Sequence, residues 1–170
     1  MKQDAVTITK CHTQNMKINN MSIDEKYMLL ALKEAEIAKS KNEVPVGAII
    51  IKDGKVIAKA HNLRQTKKTT LGHAEIIAIE KACKKLDSWI LEGCTIYVTV
   101  EPCIMCAGAI LHSRITRVVY GTNEPKFGAL GSVLDISKVE GFNHKMEITS
   151  GILKDECSLI MKEFFKSLRK

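Results

Sequence analysis

No stretch of this sequence approaches the roughly 20 consecutive apolar residues that a membrane-spanning helix requires. The opening residues, MKQDAVTITKCHTQNMKINN, lack the apolar core of a secretory signal. A chain with neither feature is expected in the cytoplasm, where cysteines are kept reduced. Its six cysteines are therefore read for metal binding or catalysis and not as a disulfide framework, although their number is even. Internal repeats and low-complexity segments are also missing, which argues against a repeat array. Acidic side chains are the scarcer charge: 19 Asp and Glu stand against 26 Lys and Arg, a formal net charge of +7. Such an excess favours association with nucleic acid or an anionic membrane surface. Lysines scattered over solvated faces would give the same count.

What is present fits one globular domain. A chain of 170 residues, 45% of them apolar, can bury roughly 70% of its unfolded surface without disulfide staples. Residues 1–21 are polar and aperiodic, and are expected to form a poorly ordered extension before a domain at 22–170. Ser22 and Glu25 in SIDE make a capping box. Met28, Ala31, Leu32, Ala35 and Ala38 follow at helical spacing, and the predicted helix ends near Asn42. VGAIIIKDGKVIAKA predicts a hairpin about Asp53-Gly54, its second strand ending near His61 and Asn62. NLRQTKKTTLG reads as a polar, basic loop. A helix is predicted from His73 to about Leu86, with Ile76, Ile79, Cys83 and Leu86 on one side. CTIYVTV is a strand at 94–100. Glu101-Pro102 then opens a helix of about ten residues, with proline tolerated in the first turn. RVVYG is a strand, TNEPKFGALGS a loop and MEITS a last strand. A C-terminal amphipathic helix starts at Lys154, with Cys157, Ile160, Met161, Phe164 and Leu168 on one face. This order predicts a mixed sheet with helices on both faces.

The segment VTVEPCIMCAGAILHSRI sets Cys103 and Cys106 three positions apart behind a proline. Such a pair serves as a redox couple, half of a structural zinc site, part of a catalytic metal site, or two small buried residues. A redox couple needs a thioredoxin-like βαβ setting, which the strand before Cys103 does not exclude. A four-cysteine site needs a second closely spaced pair, and there is none. A catalytic zinc takes three protein ligands and keeps one position open. Two thiols at i and i+3 share a helix face, and a helix N-terminus favours their ionised form. His73 in GHAEI, at another predicted helix start, is the candidate third ligand. Glu75, two positions on, does not share its face and is the candidate proton carrier beside a metal-activated water. His-x-Glu alone occurs by chance in helices. The joint pattern is far more specific: His-x-Glu, 26 residues containing a strand, then Pro-Cys-x-x-Cys.

These residues, together with VPVGAIII, VVYG, GALGSVLD, NHKMEITSGIL and EFFKSLR, resemble the zinc-dependent nucleobase deaminases, whose established signature the metal pattern is. Within that superfamily they are most similar to the bacterial tRNA-specific adenosine deaminases, from about Glu25 to the C-terminus. The resemblance implies an α/β fold, a cytidine-deaminase-like three-layer α/β/α sandwich with a five-stranded mixed sheet. It also implies one zinc per subunit, a homodimer, and hydrolytic conversion of the wobble adenosine of tRNA-Arg to inosine by a zinc-activated water. By the resemblance, His73, Cys103 and Cys106 are the zinc ligands and Glu75 is the proton shuttle. Asn62 matches an asparagine that hydrogen-bonds the flipped base. Glu124 and Lys126 match loop residues near the sugar and backbone, with glutamate in place of the usual aspartate. Phe164, Phe165 and Arg169 match a segment near the anticodon loop, where Phe165 would stack on a base. Ser113 and Arg114 match a dimer-proximal segment, Arg114 being expected at a phosphate or a partner subunit. Gly72 stands where the family often has alanine, and TKKTT replaces a loop that commonly contains proline.

The implied partners are the anticodon stem-loop of tRNA-Arg and a second copy of the chain, without DNA or membrane. Two other functions share these motifs: deamination of a free purine such as guanine, and RNA binding by a catalytically silent subunit. The basic loop 64–68, the KSLRK terminus and the Phe164-Phe165 pair favour RNA over a free base. Glu75 argues against a silent subunit, which typically lacks this acid.

Overall fold

The computed structural model describes residues 21–169; the expected extension, apart from Met21, lies outside the described residues. Helix α1, Ile23–Ser40, opens on the predicted capping box. Ser22 Oγ accepts from Glu25 N at 3.2 Å, and Ser22 N donates to Glu25 Oε2 at 2.7 Å, which satisfies two otherwise orphaned donors. Its buried stripe is Met28, Ala31, Ala35 and Ala38. Three alanines let the helix lie close on the sheet, and Gly47 completes the contact. A Cβ there would fall 2.0 Å from the Ala31 carbonyl oxygen.

Strands β1, Gly47–Lys52, and β2, Lys55–His61, form the predicted hairpin. Asp53 and Gly54 both take positive φ, 49° and 70°, as a two-residue hairpin loop requires. The basic segment after β2 is not wholly irregular: it holds a short helix α2, Arg64–Lys67. The reason is a buried acid from elsewhere in the chain. Glu43, 1% exposed, accepts from Gln65 N at 3.1 Å and Thr66 N at 2.6 Å.

Helix α3, Ala74–Leu86, β3, Cys94–Val100, α4, Ile104–His112, and β4, Arg117–Thr122, follow. A 3-10 turn at Ile136–Lys138, capped by Asp135, interrupts the next connection. Strand β5, Glu147–Ser150, and helix α5, Lys154–Ser167, complete the described chain. Three expectations shift. The buried stripe of α3 is Ala74, Ile77, Ala78 and Ala82, while Ile79, Cys83 and Leu86 flank it, partly buried. Small residues win the centre because the helix packs tightly against the sheet. Pro102 precedes α4, which starts beyond an N-cap at Cys103. Leu168 follows α5 and is exposed, so the buried face of that helix is Cys157, Ile160 and Phe164.

The sheet order is β2-β1-β3-β4-β5. The β2-β1 and β1-β3 pairs are antiparallel; β3, β4 and β5 run parallel. Alternation along the strands builds two cores. Ile49, Ile51, Tyr97 and Val119 meet Met28 and Ala31 of α1 and Cys157 of α5. Ile50, Ile96, Val98 and Val118 meet Ala78 of α3 and Ile110 of α4 on the other face. Each fully buried aliphatic side chain contributes about 1.5–3 kcal/mol relative to exposure. The result is the three-layer α/β/α sandwich with a five-stranded mixed sheet that the resemblance implied. The parallel strands β3 and β4 end side by side, and the crevice beyond such carboxyl ends is where open α/β sheets bind ligands.

Candidate active site

His73 is the N-cap of α3, with extended backbone, φ −81° and ψ 145°, and its ring makes no capping bond. The capping work falls to Asn62 at the end of β2, whose Oδ1 accepts from Ala74 N at 2.8 Å. That division leaves the imidazole free to turn toward α4. Cys103 is the N-cap of α4, again extended, and Cys106 lies buried in its first turn. The His73 Nδ1 atom is 3.8 Å from Cys103 Sγ and 3.4 Å from Cys106 Sγ. All three donor atoms lie within 4.8 Å of one another.

This donor set fits zinc. A tetrahedral ion with bonds of about 2.3 Å to sulfur and about 2.0 Å to nitrogen sets its ligand atoms roughly 3.5–3.8 Å apart. One nitrogen and two sulfurs also leave a fourth position open, as a catalytic site does. Among the three donors, the electrostatics favour the ligating form at Cys103 alone. The Cys103 thiol is held down to about 4, first by its hydrogen bond with Cys106, and also by His73. The Cys106 thiol is pushed up, first by that same Cys103 contact and then by burial. Of the two sulfurs, Cys103 is thus the one that ionises first. His73 is pushed up by its hydrogen bond to Cys103, against the effect of burial, with the nearby Glu75 charge adding to the rise.

Glu75, in the first turn of α3, is 3% exposed. Its Oε2 is buried with no hydrogen-bond partner. Burial pushes its carboxyl above the ordinary glutamate range. An orphaned buried oxygen costs free energy, and this carboxyl lines the same cleft as His73 and Cys103. A donor brought by water or substrate would satisfy it.

The cleft above these groups has a volume of about 1110 Å³. Asn62, His73, Glu75 and Cys103 line it, as do Glu124, Lys126, Phe165 and Arg169. Glu124 Oε1 accepts from Lys126 N at 3.0 Å, bending the loop so that both side chains reach the cleft. Phe164 belongs to the core, 5% exposed, while Phe165 is 43% exposed on the cleft wall. Arg114 is not brought to this cleft. It takes φ 62° after α4, and its guanidinium donates to Asn143 O at 3.0 Å. Ser113 is buried beside it.

The cleft also holds Phe127 and Lys162, which the sequence reading did not single out, and Arg64 and Lys166, which it took only as parts of the basic segments 64–68 and KSLRK. Ser158, Lys162, Phe165 and Arg169 recur at steps of four, three and four, with Lys166 beside Phe165, so a second stripe along α5 and just beyond it was visible in the sequence. Glu101, 2% exposed, is a hidden organiser. Its carboxylate accepts from Glu124 N, Leu130 N and Ser132 N at 3.0–3.1 Å, and from the Ser132 hydroxyl. Nothing local in the sequence pairs Glu101 with a loop some thirty residues away.

A metal donor triad and an unpaired carboxyl at the carboxyl ends of parallel strands define the class: this is the architecture of the nucleobase deaminases. The chain belongs to the MafB19-like deaminase family, whose model matches residues 22–169. It is 49% identical over 150 residues to a tRNA-specific adenosine deaminase of Bacillus subtilis (strain 168), covering 88% of this chain and 93% of that protein. A protein of the same name from Rickettsia bellii is 50% identical over 141 residues, covering 82% and 97%. Among solved structures, one from work on A-to-I editing by tRNA:A34 deaminases at the wobble position matches with a TM-score of 0.77 and 40% identity, covering 79% and 98%. A guanine deaminase from Nitrosomonas europaea shares the fold, with a TM-score of 0.71 and 22% identity over 85% of each chain.

Proposed function

We propose that this chain hydrolytically deaminates the wobble adenosine of tRNA-Arg to inosine. In this reading residues 22–170 form the deaminase domain of a cytoplasmic homodimer, with one zinc per subunit held by His73, Cys103 and Cys106. The relatives named for tRNA adenosine deamination support it. The observation that carries it is the lining of the cleft: cations and two exposed phenylalanines stand around an unpaired carboxyl. A free base needs neither, whereas a single-stranded loop offers phosphates to the cations and bases to stack on the rings.

When bound, zinc supplies a water acidified toward neutral pKa as the nucleophile. Glu75 carries the protons. Its carboxylate takes one from the attacking water and delivers it to adenine N1 as C6 becomes tetrahedral. The same carboxylate then takes the proton of the new C6 hydroxyl and passes it to the leaving amine, so water enters, ammonia departs and C6 becomes a carbonyl. Such proton transfer contributes about 10²–10⁴-fold to rate. Asn62 has its Oδ1 committed to Ala74, so only its Nδ2–H group remains to donate to the base. Phe165 and Phe127 serve as stacking surfaces. Lys126, Lys162, Lys166 and Arg169 meet the backbone, and the free oxygen of Glu124 serves a sugar hydroxyl. Arg114, outside its own cleft, is assigned to the homodimer contact.

The test is incubation with the anticodon stem-loop of tRNA-Arg and, separately, with guanine, each read by mass spectrometry. Inosine confined to the wobble position, with guanine unchanged, is expected. Guanine turnover with an untouched stem-loop would transfer the protein to free-purine chemistry.

A further inference from the structure

The reaction described above makes no use of the contact between Gly72 and Arg64. Backbone at Gly72 runs directly against the start of α2. A Cβ at Gly72 would lie 2.8 Å from Arg64 N and 2.9 Å from both Arg64 Cα and the Leu63 carbonyl carbon. All three are backbone atoms, so no rotamer change relieves the overlap. Leu63 N donates to Gly72 O at 2.8 Å, closing residues 63–72 into a loop. On its other side α2 is held by the buried Glu43 carboxylate. The short helix is thus fixed between a glycine and an acid, with no slack on either side.

Arg64, its first residue, is the part of α2 that lines the cleft. Its side chain is exposed and has no ion-pair partner among the described residues. The amides of Gln65 and Thr66 are already taken by Glu43, so an anion at this wall meets the guanidinium. The other cations of the cleft are Lys126, on the loop after β4, and Lys162, Lys166 and Arg169 at the C-terminal end of α5. A nucleotide whose base reaches Glu75 has phosphates on both sides of it. Arg64, on the segment after β2, adds a cation on an element separate from Lys126 and from the α5 group.

We propose that Arg64 contacts a phosphate flanking the target nucleotide, and that Gly72 is the positioning residue that allows it to reach. The proposal rests on the RNA reading given above. It makes the 63–72 loop a determinant of substrate class: a polynucleotide gains from Arg64, and a free base gains nothing.

The experiment uses the zinc-loaded full chain and the anticodon stem-loop. Arg64→Gln should raise KM about tenfold, the loss expected of one charge-assisted contact, with kcat falling far less. It should also make the dependence of log affinity on log salt shallower by about 0.7, the increment for one single-strand phosphate. Arg64→Lys should restore most of that slope. Gly72→Ala should act in the same direction with unchanged zinc content. The double variant should bind no worse than Arg64→Gln alone, because Gly72 acts through Arg64. An Arg64→Gln enzyme with wild-type KM and salt slope overturns the phosphate contact. Additive losses in the double variant overturn the positioning role of Gly72. A wild-type protein that does not edit the stem-loop overturns the RNA reading, and this proposal with it.

Discussion

Glu75 has its position set by α3 and its chemistry by burial. Its Oε2 atom has no partner among the described residues, which is consistent with the proton-carrying role proposed for it. Glu75→Ala should therefore leave fold and zinc content intact while turnover falls by about 10²–10⁴-fold; an enzyme that keeps its rate would remove Glu75 from the mechanism. In the proposed reading Asn62 carries two duties at once. Because its Oδ1 caps α3, Asn62→Ala should lower stability by about 1 kcal/mol as well as raise KM. An unchanged melting temperature would contradict the capping role. The sequence showed the residue but not this double use, because the capped amide is twelve positions away. His73, Cys103 and Cys106 were legible as a set, because the chemistry of zinc restricts which residue types qualify. Arg64 was legible only as part of the basic segment 64–68, because nothing local says which of its cations lines the cleft.

Among the elements, those with local signals were read well. The capping box of α1 and the Asp53-Gly54 turn are examples. Those held from a distance were not: α2 depends on Glu43, and the loop after β4 depends on Glu101. The start of α1 shows how a helix is tied down across the sheet. Asp24 accepts two bonds from Arg117, at 2.9 and 2.7 Å, and one from Tyr97 at 2.7 Å. The Arg117 hydrogen bonds hold the Asp24 carboxyl below its ordinary range, against the cost of burial. A depressed carboxylate pKa contributes stability that is present above the unfolded value, about 3.9. The contribution is lost as pH falls through the folded value. Asp24→Asn should therefore cost about 1.5–3 kcal/mol at neutral pH. The gap should close as denaturation is followed into acid, and a gap constant with pH would contradict the ion pair.

For the whole molecule, the two cores on either side of the sheet do not depend on the metal site. Helices α3 and α4 are held by Ala78, Ala82, Ile110 and their strand partners, unlike a small zinc domain that unfolds without its ion. Chelation should abolish turnover and leave the far-ultraviolet circular dichroism unchanged; loss of helix signal on chelation would show that the ion supports the fold. The mixed sheet was legible from the order of elements, since a hairpin followed by strand–helix–strand connections admits few alternatives. The cleft was legible only in part, because charge pattern alone does not say which lysines converge. Convergence comes from the C-terminal turn of α5 meeting the loops beyond β2 and β4.

Hydrolysis at one adenosine is the central claim, and heavy-oxygen water tests it most directly. The anticodon stem-loop of tRNA-Arg is incubated with the protein in that solvent, and the product nucleosides are separated and weighed. One labelled oxygen in the base of the wobble nucleotide, with ammonia released, is the expected result. An unmodified wobble adenosine, or inosine without the label, would contradict it.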